Sequence, residues 1–245
     1  MKGGFQFRQF FVRHDLSSMK VGTDGVLLGA WAPLPQRPDI REIREIRTGY
    51  SILDVGTGSG LIALMLAQRC PDAQIDAIDI DEVSCRQAQN NFDASPWAER
   101  LHAAHSSLQD WKSWEYDLIV SNPPFFVDSL KAPDAARCAA RHNDTLPFSA
   151  LIAESARLLK PTGTLAIIVP CEAEETLQTL AAAHGLQCTD RCYVHPKPDR
   201  PPKRVLLAWQ HASANLGGST EHLTLEDNHG GRSPEYQQLT GEFYL

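Results

Sequence analysis

Asn122-Pro123-Pro124-Phe125 is the segment of this 245-residue chain whose residue types most constrain a chemistry. Each proline fixes its own φ and restricts the residue before it, so the Asn122 carboxamide and the Pro123 carbonyl are held in set directions. Together they make two acceptors for the two N–H groups of an amine conjugated to a ring or carbonyl. Such a nitrogen is a poor nucleophile, because its lone pair is delocalised. Two acceptors orient it toward an electrophile and favour the positive charge that develops during attack. Phe125, followed by Phe126, offers a flat face to clamp a ring, an interaction of about 1–3 kcal/mol for a nucleic-acid base. The bland alternative is a proline turn after a buried strand. No Ser/His/Asp or Cys/His arrangement, catalytic carboxylate pair or Walker-type loop competes with the tetrapeptide.

A second cluster stands upstream. Asp54-Val-Gly56-Thr57-Gly58-Ser-Gly60 follows a strand-like run and opens a helix. The glycines allow a tight turn and close backbone approach, and the helix start offers unpaired N–H groups. Such a loop also serves dinucleotide cofactors. Asp54 shifts the reading, since an acid there meets the amino group of a methionine moiety and repels a pyrophosphate. Asp79 ends the next strand, where it accepts the hydroxyls of a ribose; its alternative is a strand-end cap. The pair favours S-adenosylmethionine over a nicotinamide cofactor.

The elements that must position these residues alternate between strand and helix periods, which predicts a mostly parallel sheet covered on both faces. Strands are expected at 51–55, 74–79, near Leu101, and at 116–121, 163–169, 187–195 and 204–210. Helices are expected at 61–69, from the Asp81 cap to about Phe92, at 147–159, and at 172–183 ended by Gly185. The last two strands are joined by Pro196–Lys203 with no helix between them, which predicts an antiparallel edge pair. Ser233-Pro234-Glu235 starts a short final helix. The expected fold class is α/β: a Rossmann-like, seven-stranded, mostly parallel sheet with an antiparallel edge strand and helices on both faces. It is read as one domain, with an N-terminal arm (1–35), an insertion (36–49), a core (50–210) and a C-terminal extension (211–245). The insertion carries Ile40-Arg-Glu-Ile43-Arg-Glu-Ile46-Arg, a solvent-facing helix with no assigned chemistry.

Hydrophobic residues at 42% and charged residues at 22% describe an ordinary globular chain, and no apolar run reaches the length of a membrane span. The expectation is a cytoplasmic protein. Six cysteines show no paired-ligand spacing, so they are read as reduced, with no metal site. A net charge of −7 argues against unspecific coating of nucleic acid. It leaves room for focused basic runs: Arg8, Arg13 and Lys20 near the start, and Lys197, Arg200, Lys203 and Arg204 near the end.

The core resembles the class I Rossmann-like S-adenosylmethionine-dependent methyltransferases, and Asn-Pro-Pro-Phe resembles the motif of those acting on adenine N6, cytosine N4 or glutamine amides. More narrowly, the chain is similar to the bacterial valine tRNA (adenine-37-N6)-methyltransferase family. The residues carrying this are Phe10-Phe11-Val-Arg-His14-Asp15, Met19-Lys20-Val-Gly22-Thr23-Asp24-Gly25 and Leu27-Leu28-Gly29-Ala30-Trp31-Ala32-Pro33. Gln87-Ala-Gln89-Asn90, Ser95-Pro96-Trp97-Ala98-Glu99-Arg100, Arg204-Val205-Leu206-Leu207-Ala208 and Phe243-Tyr244-Leu245 extend it over nearly the whole chain.

The resemblance implies that Lys20, Thr23 and Asp24 lie near the cofactor or the mouth of the target pocket; from the residues alone, Asp24 is a candidate helix cap. It further implies a cofactor set of Lys20, Thr23, Asp54, Gly56, Thr57, Gly58, Gly60, Asp79, Ile80, Ser107, Leu108 and Asn122. The catalytic set is Asn122, Pro123, Pro124 and Phe125. RNA is expected to meet Arg8, Arg13, Lys20, Phe125, Phe126, Lys203 and Arg204, with a tRNA anticodon loop as partner of a monomeric enzyme. Ser106-Ser107-Leu108 departs from the family, which commonly has an acid there for the cofactor's adenine. The rival readings are a protein glutamine N5-methyltransferase, a DNA adenine methyltransferase, a nicotinamide-dependent dehydrogenase and a non-catalytic cofactor-binding module. The first needs a helical domain ahead of the glycine loop, where about fifty residues stand. The second needs a separate base-recognition domain.

Overall fold

A computed structural model describes residues 3–16, 20–35, 49–113, 115–124, 146–212 and 218–245. The 40–47 echo, Phe125, Phe126 and Cys138 lie outside the described residues. Strands β1 (Gly4–Gln6) and β2 (Phe11–Arg13) form an antiparallel hairpin, followed by helix α1 (Thr23–Trp31). The core runs β3 (Tyr50–Val55), α2 (Leu61–Arg69), β4 (Ala73–Asp79), α3 (Glu82–Asp93), β5 (Leu101–His105) and β6 (Tyr116–Ser121). It continues with α4 (Phe148–Leu158), β7 (Leu159–Pro170), α5 (Glu174–Ala183), β8 (Leu186–His195), β9 (Arg204–His211), β10 (Ser219–Thr224) and α6 (Pro234–Thr240).

The sheet has eight strands in the order β10-β8-β9-β7-β6-β3-β4-β5. All pairings are parallel except those of β9, which runs antiparallel to β7 and β8. The expected antiparallel pair β8–β9 is there, but β10 adds in parallel outside β8, so β9 lies two strands from the edge. The eighth strand was not legible because Ser219–Thr224 exposes four of its six residues. It lacks the apolar alternation that marks a strand and takes its shape from β8's free edge.

Buried side chains form one cluster on each face. One gathers the hairpin, α1, α2, α3 and α6; the other gathers α4 and α5. Helix α2 is buried on nearly every side, because α1 covers what the sheet leaves open. That approach requires a glycine: a Cβ on Gly29 would stand 2.7 Å from Met65 Sδ.

Helix starts follow the sequence signals. Asp81 accepts from Val83 N and Ser84 N, and Ser233 accepts from Tyr236 N at 3.0 Å. Asp24 is a correction. Gly22 caps α1 without a side-chain bond, and Asp24 sits in the first turn facing Arg204. The hairpin was missed too, since two three-residue strands give no usable period. The five described cysteines are free thiols, and no helix among the described residues is long and apolar enough to cross a membrane.

Candidate active site

The parallel strands deliver their carboxyl ends to one edge of the sheet, and a cleft of about 360 Å³ opens there. Its lining combines Lys20, Gly22, Thr23, Asp24 and Gly25 from the arm with Gly56, Thr57, Gly58 and Ser59 from the loop after β3. Leu61 and Ile62 form its floor, and Asn122 comes from the end of β6. The volume falls in the small-molecule range. Arm, glycine loop and tetrapeptide, separated by up to about a hundred residues in sequence, thus share one concavity.

The loop is shaped by φ values of +71°, +57° and +80° at Gly56, Gly58 and Gly60, a left-handed path that side chains rarely follow. A Cβ at Gly60 would come within 2.5 Å of Phe92, whereas beside Gly56 there is open space. The Gly56 and Thr57 amides are tied to Ile78 O at 2.9 and 3.1 Å.

Asp79 completes the turn. One of its carboxylate oxygens accepts from Gly58 N at 2.9 Å and the other from Asp81 N at 3.0 Å. Each oxygen keeps a further lone pair, so two ribose hydroxyls remain acceptable. Ile80 beside it is 52% exposed, an apolar surface available to a flat ring.

Asp54 corrects the sequence reading. It is fully buried beneath the loop and does not line the cleft. Its Oδ2 accepts from Thr57 Oγ1 at 2.7 Å and from Ala63 N at 3.3 Å, while Oδ1 has no partner. Burial pushes its carboxyl up to about 7; the Thr57 and Ala63 bonds pull it down and the Asp79 charge adds to the rise. Its place is under Thr57, which lines the cleft, so it shapes the loop instead of touching a ligand directly.

After β5, the Ser107 hydroxyl donates to Asp110 Oδ2 at 2.7 Å and accepts from Asp110 N at 3.1 Å. One lone pair of Ser107 is left for a ligand. Leu108 is buried in the core at 2% exposure, so its side chain cannot reach the cleft. Asp110, which the sequence reading did not single out, is the acid of this loop.

At the other side of the cleft Asn122 is half-buried, and its carboxamide has no hydrogen-bond partner among the described residues. Pro123 is buried and Pro124 exposed, so the first proline anchors the turn. The basic candidates divide. Lys20 lines the cleft. The Arg13 and Lys203 side chains have no hydrogen-bond or ion-pair partner among the described residues, and Arg13 is exposed. Arg8 donates through Nε to the Tyr244 carbonyl, which commits part of its guanidinium to the chain terminus. Arg204 donates through Nε to Asp24 Oδ2 at 2.9 Å, which commits part of its guanidinium to the arm.

Two residues hold the arm: Asn91, which the sequence reading did not single out, and Gln87, which it quoted only for the family resemblance. Asn91 donates from its amide to Arg13 O and Ser59 O, both at 2.8 Å, and accepts from Arg13 N. Gln87 accepts from Leu16 N at 3.0 Å. Both are almost wholly buried polar side chains on α3, a signal that appears only once burial is known.

The methyltransferase small domain family matches residues 40–186. Relatives named tRNA1(Val) (adenine(37)-N6)-methyltransferase include a Parabacteroides distasonis protein, 46% identical over 98% of this chain and 97% of its own length. A Serratia proteamaculans protein of the same name is 40% identical over 100% of this chain and 90% of its own. Among solved structures, a protein described as a predicted O-methyltransferase from Agrobacterium tumefaciens superposes with a TM-score of 0.65 at 14% identity. It covers 90% of this chain and 96% of the other, a likeness of fold. Identity of this extent along the whole length shows that the chain belongs to the tRNA1(Val) (adenine(37)-N6)-methyltransferase family, within the class I Rossmann-like methyltransferases.

Proposed function

We propose that this protein transfers a methyl group from S-adenosylmethionine to N6 of an adenine in tRNA, adenosine 37 beside the anticodon of a valine tRNA. The observation that carries the reading is the Asn122 carboxamide, placed in the same cleft as the glycine loop and without a hydrogen-bond partner among the described residues. When bound, the cofactor supplies an electrophilic methyl on its sulfonium.

The residues fit that cofactor. The open space beside Gly56 admits its methionine portion close to the backbone. Asp79 accepts the ribose hydroxyls, and Ile80 and Ser107 flank the adenine. Thr57, braced by Asp54, and Lys20 and Thr23 of the arm close over the other end. Asn122 and the Pro123 carbonyl accept the two N–H groups of the target amine. They hold its nitrogen at a near-attack distance of about 3 Å from the methyl carbon. Developing charge on nitrogen strengthens both hydrogen bonds, so their contribution is greatest in the transition state. The base reaches this position by leaving its loop, a small cost in an anticodon loop that is already single-stranded. Phe125 and Phe126 stack on it, and Arg13 and Lys203 meet phosphates.

The test is transfer of a tritiated methyl group from S-adenosylmethionine to total tRNA of a strain lacking the gene, followed by nucleoside analysis. Label in N6-methyladenosine supports the reading. Label in a release-factor-like protein and none in tRNA overturns it in favour of glutamine methylation.

A further inference from the structure

With its methionine portion on the glycine loop after β3 and its ribose on Asp79 at the end of β4, an adenosyl ligand carries its base onward, over the loop after β5. That loop is fixed to the ribose acid. Strands β4 and β5 run parallel with Asp79 beside His105 in register, and Ser106 N donates to Asp79 O at 3.0 Å. Ser107, half-buried, is the next residue along.

The side-chain hydrogens of this loop are already placed. Ser107 Oγ donates to Asp110 Oδ2 at 2.7 Å and accepts from Asp110 N at 3.1 Å. Ser106 Oγ donates to Ser107 O at 2.9 Å. His105 Nε2 lies 3.0 Å from Ile80 O, and a carbonyl only accepts, so that ring hydrogen is spent as well. Trp111 Nε1 donates to the Tyr116 hydroxyl at 2.9 Å. A hydroxyl has one hydrogen and two lone pairs, and left alone it rotates to suit a donor or an acceptor. With its hydrogen on the Asp110 carboxylate and one lone pair on the Asp110 amide, Ser107 offers a ligand one lone pair and no donor. Donation to a carboxylate also makes the oxygen a stronger acceptor, because linked hydrogen bonds polarise one another.

We propose that Asp110 is a positioning residue that makes Ser107 an acceptor only, so that the cofactor site takes a 6-aminopurine and refuses a 6-oxopurine. This rests on the S-adenosylmethionine reading above and deepens it to the choice of base. An amino group at C6 donates into the open Ser107 lone pair. An oxo group in its place sets acceptor against acceptor and leaves both oxygens unpaired, which costs more than a missing contact.

The experiment is calorimetric binding of S-adenosylhomocysteine and of its 6-oxo analogue, S-inosylhomocysteine, to full-length wild type, Asp110→Ala and Ser107→Ala. Wild type should prefer the adenosyl ligand by about tenfold or more, the size of one unsatisfied polar pair. Asp110→Ala keeps the main-chain amide but releases the Ser107 hydrogen. It should bind the inosyl ligand several-fold more tightly than wild type does and lose most of the preference. Ser107→Ala, with no hydroxyl to turn, should weaken the adenosyl ligand and bring no gain for the inosyl one. A turn merely loosened by Asp110→Ala would weaken both ligands and keep their ratio; that result, or unchanged affinities, overturns the role of Asp110. Adenosyl binding by wild type without any preference overturns the inference alone. Failure of wild type to bind either ligand overturns the cofactor reading and the inference together.

Discussion

Arg204 Nε donates to Asp24 Oδ2 across 2.9 Å, joining residues 180 positions apart. Arg204 is the first residue of β9 and Asp24 is in the first turn of α1, where it lines the cleft. The pair ties the arm to the sheet beside the loop Pro196–Lys203. Its side chains are 34% and 27% exposed, so solvent screens it and its worth is about 1 kcal/mol or less. Arg204→Ala should weaken cofactor binding severalfold without unfolding the protein. In a double-mutant cycle, Asp24→Ala added to Arg204→Ala should cost no more than either alone. Additive losses in cofactor Kd would show that the two act separately.

Asn122→Ala removes one of two acceptors for the target amine. Turnover should fall by about 10²–10³ or more, the usual cost of deleting a group that serves the transition state. Cofactor Kd should stay within about threefold, because Asn122 is one of many residues lining the cleft. Single-turnover kinetics with tRNA separates the two effects, and wild-type turnover in the variant would falsify the role assigned to Asn122.

Asp54 should give the fold a specific pH dependence. An unfolded aspartate loses its proton near pH 4, whereas the buried carboxyl keeps it to about 7. Between those values the folded state binds more protons, so stability falls as pH rises. The contribution is complete below about pH 4 and lost as pH passes about 7, with a ceiling of about 4 kcal/mol. Asp54→Asn keeps an acceptor for Thr57 and Ala63 without the titrating proton. Denaturant unfolding of both proteins across this range should show wild type losing stability relative to the variant. Parallel curves would show that Asp54 ionises without cost.

The chain terminus anchors the arm. Phe243 is 2% exposed and accepts from Arg8 N at 2.8 Å. The Tyr244 ring packs on Phe7 at 5.9 Å, under the Arg232 guanidinium 3.9 Å from its centroid. Removing Phe243–Leu245 should speed hydrogen exchange in Gly4–Arg13 and weaken cofactor binding severalfold, while amides of β3 and β6 stay protected. Unchanged exchange in the hairpin would show that α3, through Gln87 and Asn91, holds the arm unaided.

The sequence by itself determined the strands β3 through β9, the Asp81 and Ser233 caps, the glycine loop and the Asn-Pro-Pro turn. Each is a local matter, set by hydrophobic period, capping chemistry or the φ a residue type permits. Only the tertiary structure decided the rest, because it depends on which groups become buried or adjacent. Burial removed Asp54 and Leu108 from the cleft surface, and it made Asn91 and Gln87 the hooks of the arm. Proximity across 180 residues turned Arg204 from a candidate RNA contact into the partner of Asp24. A free sheet edge drew Ser219–Thr224 into an eighth strand, and so set His222 against His195.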